Sequence, residues 1–345
     1  MSLLLDEICE QPTVLKKLYA LNEVKVKAIA EEYQKRGLDG VYFAARGTSD
    51  HACVYAQYLM GITAGIPCAL GTPSVITKYG AKMKFGTDLV VGVSQSGKAE
   101  DVLQVLKQAN EQGCLTVAVT NDESSQMARE AKYHLYCAAG KEESIAATKT
   151  FTAEMYLLAM LCAELADSDE LKEQLQTIGD DTAALLKYAP PALEAKTVRY
   201  RYLTNAFILG RGLEYPIALE GALKILETNC IKMKGAAISD FYHGPIAQIA
   251  EGDLVIVISS RGATSDDDRA MIDRLHEIGA EIFVITNDEE LYKSEKFGIL
   301  TPEGGIYTVP FLFAVCVQLF AYELTVVRDI DPNKSKVLKK ITITK

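Results

Sequence analysis

Ser94-Gln95-Ser96-Gly97 places two hydroxyls and a carboxamide in four residues, and the chemistry such a stretch supports is anion binding. The hydroxyls donate hydrogen bonds, and the glycine lets a ligand approach the backbone closely. Such a loop needs a strand behind it and a helix ahead of it, because the first-turn N–H groups of a helix lack partners and its dipole favours negative charge. Both elements are legible. Asp88–Val93 is a short β-branched run suited to a strand buried on both faces of a parallel sheet. From Ala99 to Gln112 the apolar residues Val102, Val105, Leu106 and Ala109 fall at helical spacing. The same pattern also describes a serine-rich loop with no ligand, and the stretch by itself leaves phosphate binding and that plainer reading both open.

Composition narrows the class. The 345 residues exceed one typical core, so two domains are expected, and 49% hydrophobic with 24% charged residues describes a folded, soluble protein. A net charge of −10 without a Lys/Arg block argues against a nucleic-acid surface. Eight scattered cysteines with no C-x-x-C pair, and only four histidines, point to reduced buried thiols and no metal site. The N-terminus lacks a charged-then-apolar leader pattern, so a cytoplasmic location is expected. Val309–Val327 is the most membrane-like stretch, but Gln318, Tyr322, Glu323 and Thr325 interrupt it, and a buried helix is the expectation.

An internal repeat sets the architecture. Ala45-Arg46-Gly47 returns as Gly210-Arg211-Gly212, and DLVVGVSQSG at Asp88 returns as DLVIVISSRG at Asp253, both 165 positions on. Thr120-Asn121-Asp122 returns as Thr286-Asn287-Asp288, 166 positions on. In the first copy, Gly40–Ala45, Asp88–Val93 and Cys114–Thr120 read as strands, with helices at Asp50–Gly65 and Ala99–Gln112. In the second, Asn205–Leu209, Asp253–Ser259 and Ile282–Thr286 read as strands, with helices at Tyr215–Asn229 and Asp266–Gly279. Alternation of this kind implies an α/β fold with parallel sheets that bind ligands at the carboxyl ends of their strands. Leu15–Gln34 reads as an amphipathic helix ahead of the first copy, and Ser168–Pro191 as a polar helical linker ending at Pro190-Pro191. The expected divisions are an N-terminal helical segment 1–35, a first domain 36–167, a linker 168–191, a second domain 192–330 and a basic tail 331–345.

Six motifs then carry a family resemblance: ARGTSDHA from Ala45, SQSG from Ser94, ESIAATKTFT from Glu143, LGRGLEYPIALEGALK from Leu209, His243-Gly244-Pro245, and LKKITIT near the end. In this order they resemble tandem sugar isomerase (SIS) domains, specifically the isomerase half of glucosamine–fructose-6-phosphate aminotransferases. The resemblance implies two SIS domains, each a three-layer α/β/α sandwich with a flavodoxin-like parallel sheet, and a small phosphosugar as substrate. It places Ser49, Ser94, Gln95 and Ser96 at the phosphate and sugar hydroxyls, and Ile145 and Thr148 near the sugar chain. Where the synthase pattern runs SQSGET, Lys98 and Ala99 follow the glycine here, and a basic residue at that place is more like stand-alone aminosugar-phosphate deaminases. The second copy reads Ser259-Ser260-Arg261-Gly262 and is not expected to bind phosphate.

By motif position Glu227 matches the carboxylate that moves a proton between C1 and C2 of the open-chain sugar, a task that suits a base within reach of both carbons. Lys224, three residues earlier on the same helical face, is expected to polarise the O1–O2 edge or to pair with Glu227. His243 matches the residue that assists ring opening and reaches a neighbouring subunit's site, which implies a homodimer. A C-terminal lysine forms a Schiff base with the ketose in the family; alignment on the ITIT segment gives Lys339, and alignment from Leu338 gives Lys340. No cofactor and no metal is implied. A glutamine-hydrolysing domain is expected to be missing, which favours release of ammonia from an amino-sugar 6-phosphate over its synthesis. Two other readings are a fructosamine-6-phosphate deglycase and a non-catalytic sugar-phosphate sensor.

Overall fold

The structure is a computed structural model that describes residues 2–334. In chain order it contains α1 (Leu3–Cys9), α2 (Gln11–Arg36), β1 (Gly40–Ala44), α3 (Thr48–Ala64), β2 (Cys68–Leu70), α4 (Ser74–Thr77), β3 (Asp88–Val93), α5 (Glu100–Glu111), β4 (Thr116–Thr120), α6 (Gln126–Glu130), β5 (Tyr133–Tyr136) and α7 (Lys149–Leu165). There follow α8 (Asp169–Leu186), α9 (Ala189–Thr197), β6 (Asn205–Gly210), α10 (Tyr215–Asn229), β7 (Lys232–Ala237), α11 (Ile238–Phe241), β8 (Leu254–Ser259), α12 (Ser265–Ile278), β9 (Glu281–Thr286), α13 (Glu289–Ser294), β10 (Phe297–Leu300) and α14 (Val309–Val327).

These elements form two compact units. One holds Thr13–Glu142 and Lys149–Gln176 around a five-stranded sheet of order β2-β1-β3-β4-β5. The other holds the chain up to Pro12, Glu143–Thr148 and the described residues from Thr177 on, around a sheet of order β7-β6-β8-β9-β10. Every pairing is parallel. Numbered within its own unit, each sheet runs 2-1-3-4-5, the flavodoxin-like order, whose switch point lies between the first and third strands. That junction is β1/β3 in one unit and β6/β8 in the other, and the repeated loops leave from those strand ends.

The three central strands of each sheet are those legible in the sequence. β1, β4 and β8 are buried at every position. The edge strands β2, β5, β7 and β10 carry mixed burial, as in Lys232–Ala237, whose lysines alternate outward, and each is either shorter than a central strand or broken by polar residues.

Two helical expectations are corrected. Pro190-Pro191 does not end the linker helix: both prolines sit in the first turn of α9, where the missing N–H costs nothing. The N-terminal helix begins earlier than Leu15, at Gln11, and follows a separate α1. The apolar α14 is 89% buried over its most hydrophobic window, consistent with a core helix of its own unit.

Candidate active site

In the unit that carries the first copy, β1 leads through Gly47 into α3 and β3 leads into Ser94–Gly97, so the topology brings Ser49 and the serine loop to one edge of the sheet. The loop is a fixed structure. The Gly97 N–H donates to the Ser94 carbonyl at 3.0 Å, the Asn121 N–H to the Gln95 carbonyl at 2.9 Å, and the Ser94 N–H to the Val119 carbonyl at 3.1 Å. Gly97 has φ +60°, and a Cβ there would lie 2.2 Å from the Ser125 hydroxyl oxygen, so both conformation and space call for glycine. Gln95 and Ser96 are partly exposed, Ser94 is 8% exposed, and Lys98 beside them is exposed.

Two internal carboxylates qualify the anion site. The Ser49 hydroxyl donates to buried Glu154 of α7 at 3.0 Å, so its proton is committed within the unit and the oxygen remains an acceptor. The Val102 N–H, in the first turn of α5, donates to the Asp101 carboxylate at 3.0 Å, and Arg46 holds that carboxylate at 2.7 Å. The hydroxyls of Ser94 and Ser96, the Gln95 amide and the Lys98 charge are then the groups of this loop suited to an anion.

The second copy shows what replaces such a site. Glu214 stands where Ser49 does, 165 positions on, and its carboxylate accepts from the Ser260 hydroxyl at 2.6 Å. The Ser259 hydroxyl donates to Asp268 at 2.8 Å. Burial pushes Glu214 and Asp268 each up to about 7, against the serine hydrogen bonds that pull them down. Both loop serines are thus committed to buried acids, a poor setting for a phosphate.

A buried charged cluster sits on α10. The helix starts with Pro216 in its first turn and buries Ile217, Ala218, Gly221, Ala222 and Ile225. A Cβ on Gly221 would lie 3.1 Å from Ile208 and from Val317, which shows how closely the helix is seated between β6 and α14. On this buried face Lys224 lies between two carboxylates: its Nζ is 2.7 Å from Glu227 and 3.2 Å from Glu220. The lysine side chain is 2% exposed and that of Glu220 0%, whereas Glu227 keeps 21% of its side chain open. Burial alone would lower the lysine pKa, but the two carboxylates raise it above its ordinary value, so the ammonium stays charged. The arrangement is a carboxylate aimed outward from a buried cation. A partly open carboxylate of this kind is a candidate proton acceptor.

The remaining expected residues are distributed as follows. His243 is exposed on the turn after α11, its N–H bonded to the Asp240 carbonyl at 3.0 Å. Ile145 is partly exposed and Thr148 buried, on a segment that belongs to the same unit as Glu227. Lys339 and Lys340 lie outside the described residues. Glu220 was missed although its i, i+4 spacing to Lys224 is visible in the sequence, and Glu214 although the repeat offset points to it. Glu154 had no local signal, because it is 105 residues from Ser49.

The SIS domain family matches residues 39–185 and 203–328. The glutamine–fructose-6-phosphate aminotransferase (isomerizing) of Thermococcus kodakarensis is 31% identical over 347 residues, an alignment covering 98% of this chain and 57% of that relative. The chain therefore spans little more than half the length of this relative. Among solved structures, the C-terminal domain of glucosamine-fructose-6-phosphate aminotransferase from Francisella tularensis superposes with a TM-score of 0.88 at 24% identity, covering 97% of this chain and 98% of that one. Glucosamine-6-phosphate deaminase from Thermotoga maritima superposes with a TM-score of 0.79 at 21% identity, covering 99% and 100%. At these identities the likeness is one of fold.

Proposed function

Because the chain belongs to the SIS domain family, we propose that it is a phosphosugar deaminase-isomerase, converting an amino-sugar 6-phosphate such as glucosamine 6-phosphate to a ketose 6-phosphate and ammonia. The observation that carries this reading is the Lys224–Glu227 pair, a partly open carboxylate held at 2.7 Å by a buried ammonium. In the open-chain sugar, Glu227 removes the C2 proton and returns it to C1 while the amine gives one proton to O1, so the 2-amino aldehyde becomes the isomeric 1-hydroxy 2-imine. Water adds to the imine carbon, the C–N bond breaks, ammonia leaves, and the ketose remains. Lys224 acts here as a positioning residue, fixing the carboxylate and its charge.

Ser94, Gln95 and Ser96 hold the phosphate in this reading, with Lys98 adding charge where a carboxylate stands in the synthase pattern. Ser49 orients by accepting a hydrogen bond, and Ile145 and Thr148 contact the sugar chain. The assembly we propose is a homodimer in which exposed His243 serves a neighbouring subunit's site. A cytoplasmic location accords with eight free thiols, of which Cys53, Cys137, Cys162 and Cys316 are buried.

The test is ammonia release from purified protein given glucosamine, galactosamine or fructosamine 6-phosphate without glutamine. Ammonia with a ketose 6-phosphate supports the reading. Release of an amino acid or amine from fructosamine 6-phosphates assigns a deglycase instead, and tight binding without turnover assigns a sensor.

A further inference from the structure

The segment Glu143–Thr148 is tied at both ends, and the tie at its start comes from the N-terminal helix. Glu7 of α1 is 4% exposed, and its carboxylate accepts from the backbone N–H of Glu143, from the Ser144 N–H at 3.2 Å, and from the Ser144 hydroxyl. That hydroxyl also lies 2.8 Å from the Ala146 carbonyl, so its single proton is shared between the two acceptors. At the far end the Gln318 amide donates to the Thr148 carbonyl at 3.3 Å, and Gln11 donates to Gln318 at 2.8 Å. Ile145, partly exposed, stands between two clamped residues, so its direction is set by contacts it does not itself make. A buried carboxylate is costly unless its lone pairs are used. The two amides and the hydroxyl that meet Glu7 belong to consecutive residues of one loop, so the carboxylate and the loop conformation depend on each other.

We propose that Glu7 is a positioning residue for the sugar-binding loop, holding Ile145 and Thr148 in place for the phosphosugar. The proposal rests on the functional reading above. Three variants grade the tether. Glu7→Ala removes it. Glu7→Asp keeps a carboxylate but withdraws it by one methylene. Glu7→Gln keeps the reach, because its carbonyl accepts the two amides while its NH2 donates to the Ser144 hydroxyl, whose proton then goes wholly to Ala146.

Two readouts are taken on full-length protein: amide hydrogen exchange of a peptide spanning residues 142–148, and KM and kcat with glucosamine 6-phosphate. Exchange should accelerate in Glu7→Ala, less in Glu7→Asp, and return to the parent rate in Glu7→Gln. KM should follow the same order, rising by roughly ten- to a hundredfold in Glu7→Ala, as expected when substrate contacts shift by about 1 Å. Should Glu7→Ala not fold, the Glu7→Asp and Glu7→Gln pair carries the comparison. Faster exchange with an unchanged KM reduces Glu7 to a structural role, and unchanged exchange removes the tether; either result overturns the proposal while leaving the deaminase reading intact. A parent protein that neither binds nor turns over any phosphosugar overturns both, whatever the exchange rates.

Discussion

Glu227 and Lys224 make different demands on the protein although they touch each other. Glu227→Gln keeps the size and hydrogen-bonding reach but cannot take a proton near neutral pH, so turnover should fall by roughly two to four orders of magnitude. Phosphosugar affinity should stay near the parent value, and incorporation of solvent deuterium at the carbon next to the carbonyl should vanish. Full exchange in that variant would remove Glu227 from the mechanism. Lys224→Met acts on the fold, since it removes the buried ammonium that lies between the Glu220 and Glu227 carboxylates, one of them fully buried. Breaking a buried pair from one side typically costs about 3–5 kcal/mol, and denaturant unfolding should report a loss of that order. A loss below about 1 kcal/mol, the range of exposed pairs, would mean that water screens the cluster.

At the scale of the elements, the loops after β3 and β8 are copies whose chemistry has diverged. Replacing Ser94 and Ser96 together by Ala should weaken phosphosugar binding, each hydroxyl contributing about 0.5–1.5 kcal/mol and more toward a charged phosphate. The same change at Ser259 and Ser260 should leave phosphosugar affinity unchanged, because those hydroxyls already serve Asp268 and Glu214. Equal losses of affinity at both loops would refute the asymmetry. Glu214 adds a pH signature. Its pKa is raised to about 7 in the fold, above the ordinary carboxylate range, so the folded state binds the proton more tightly than the unfolded chain. The stability this contributes is present below the unfolded value and is lost as pH rises through about 7. Melting measured from pH 5 to 9 should fall less steeply between pH 5 and about 7 in Glu214→Gln than in the parent, and the two curves should run parallel above that. Coincident curves would show that Glu214 stays ionised when buried.

The molecule as a whole repeats one unit and specialises each copy. The unit with the serine loop keeps hydroxyls at its switch point, while the other fills the equivalent place with Glu214 and carries the Lys224–Glu227 pair on α10. The C-terminal lysines are tested chemically. Borohydride reduction in the presence of fructose 6-phosphate, followed by peptide mapping, should place the adduct on Lys339. An adduct on Lys340 would select the other alignment, and one elsewhere would remove both.

The sequence by itself determined the repeat, the central strands and the order of the motifs. Each of these is written in adjacent or evenly spaced residues: apolar runs for β1, β3, β4, β6, β8 and β9, helical spacing for α5 and α10, and an offset of 165 or 166 positions between copies. The Lys224–Glu227 pair was readable for the same reason, since three residues is a helical neighbour distance. Only the tertiary structure decided the edge strands, whose half-exposed runs are short or broken by polar residues. It also decided which serine protons are already committed and what holds the 143–148 segment. Ser49 meets Glu154 from 105 residues away, and Glu7 meets Ser144 from 137. Local periodicity carries no information at such separations: partners this far apart are selected by the folded chain, where the cost of burying a carboxylate is offset only by the donors that the fold brings to it.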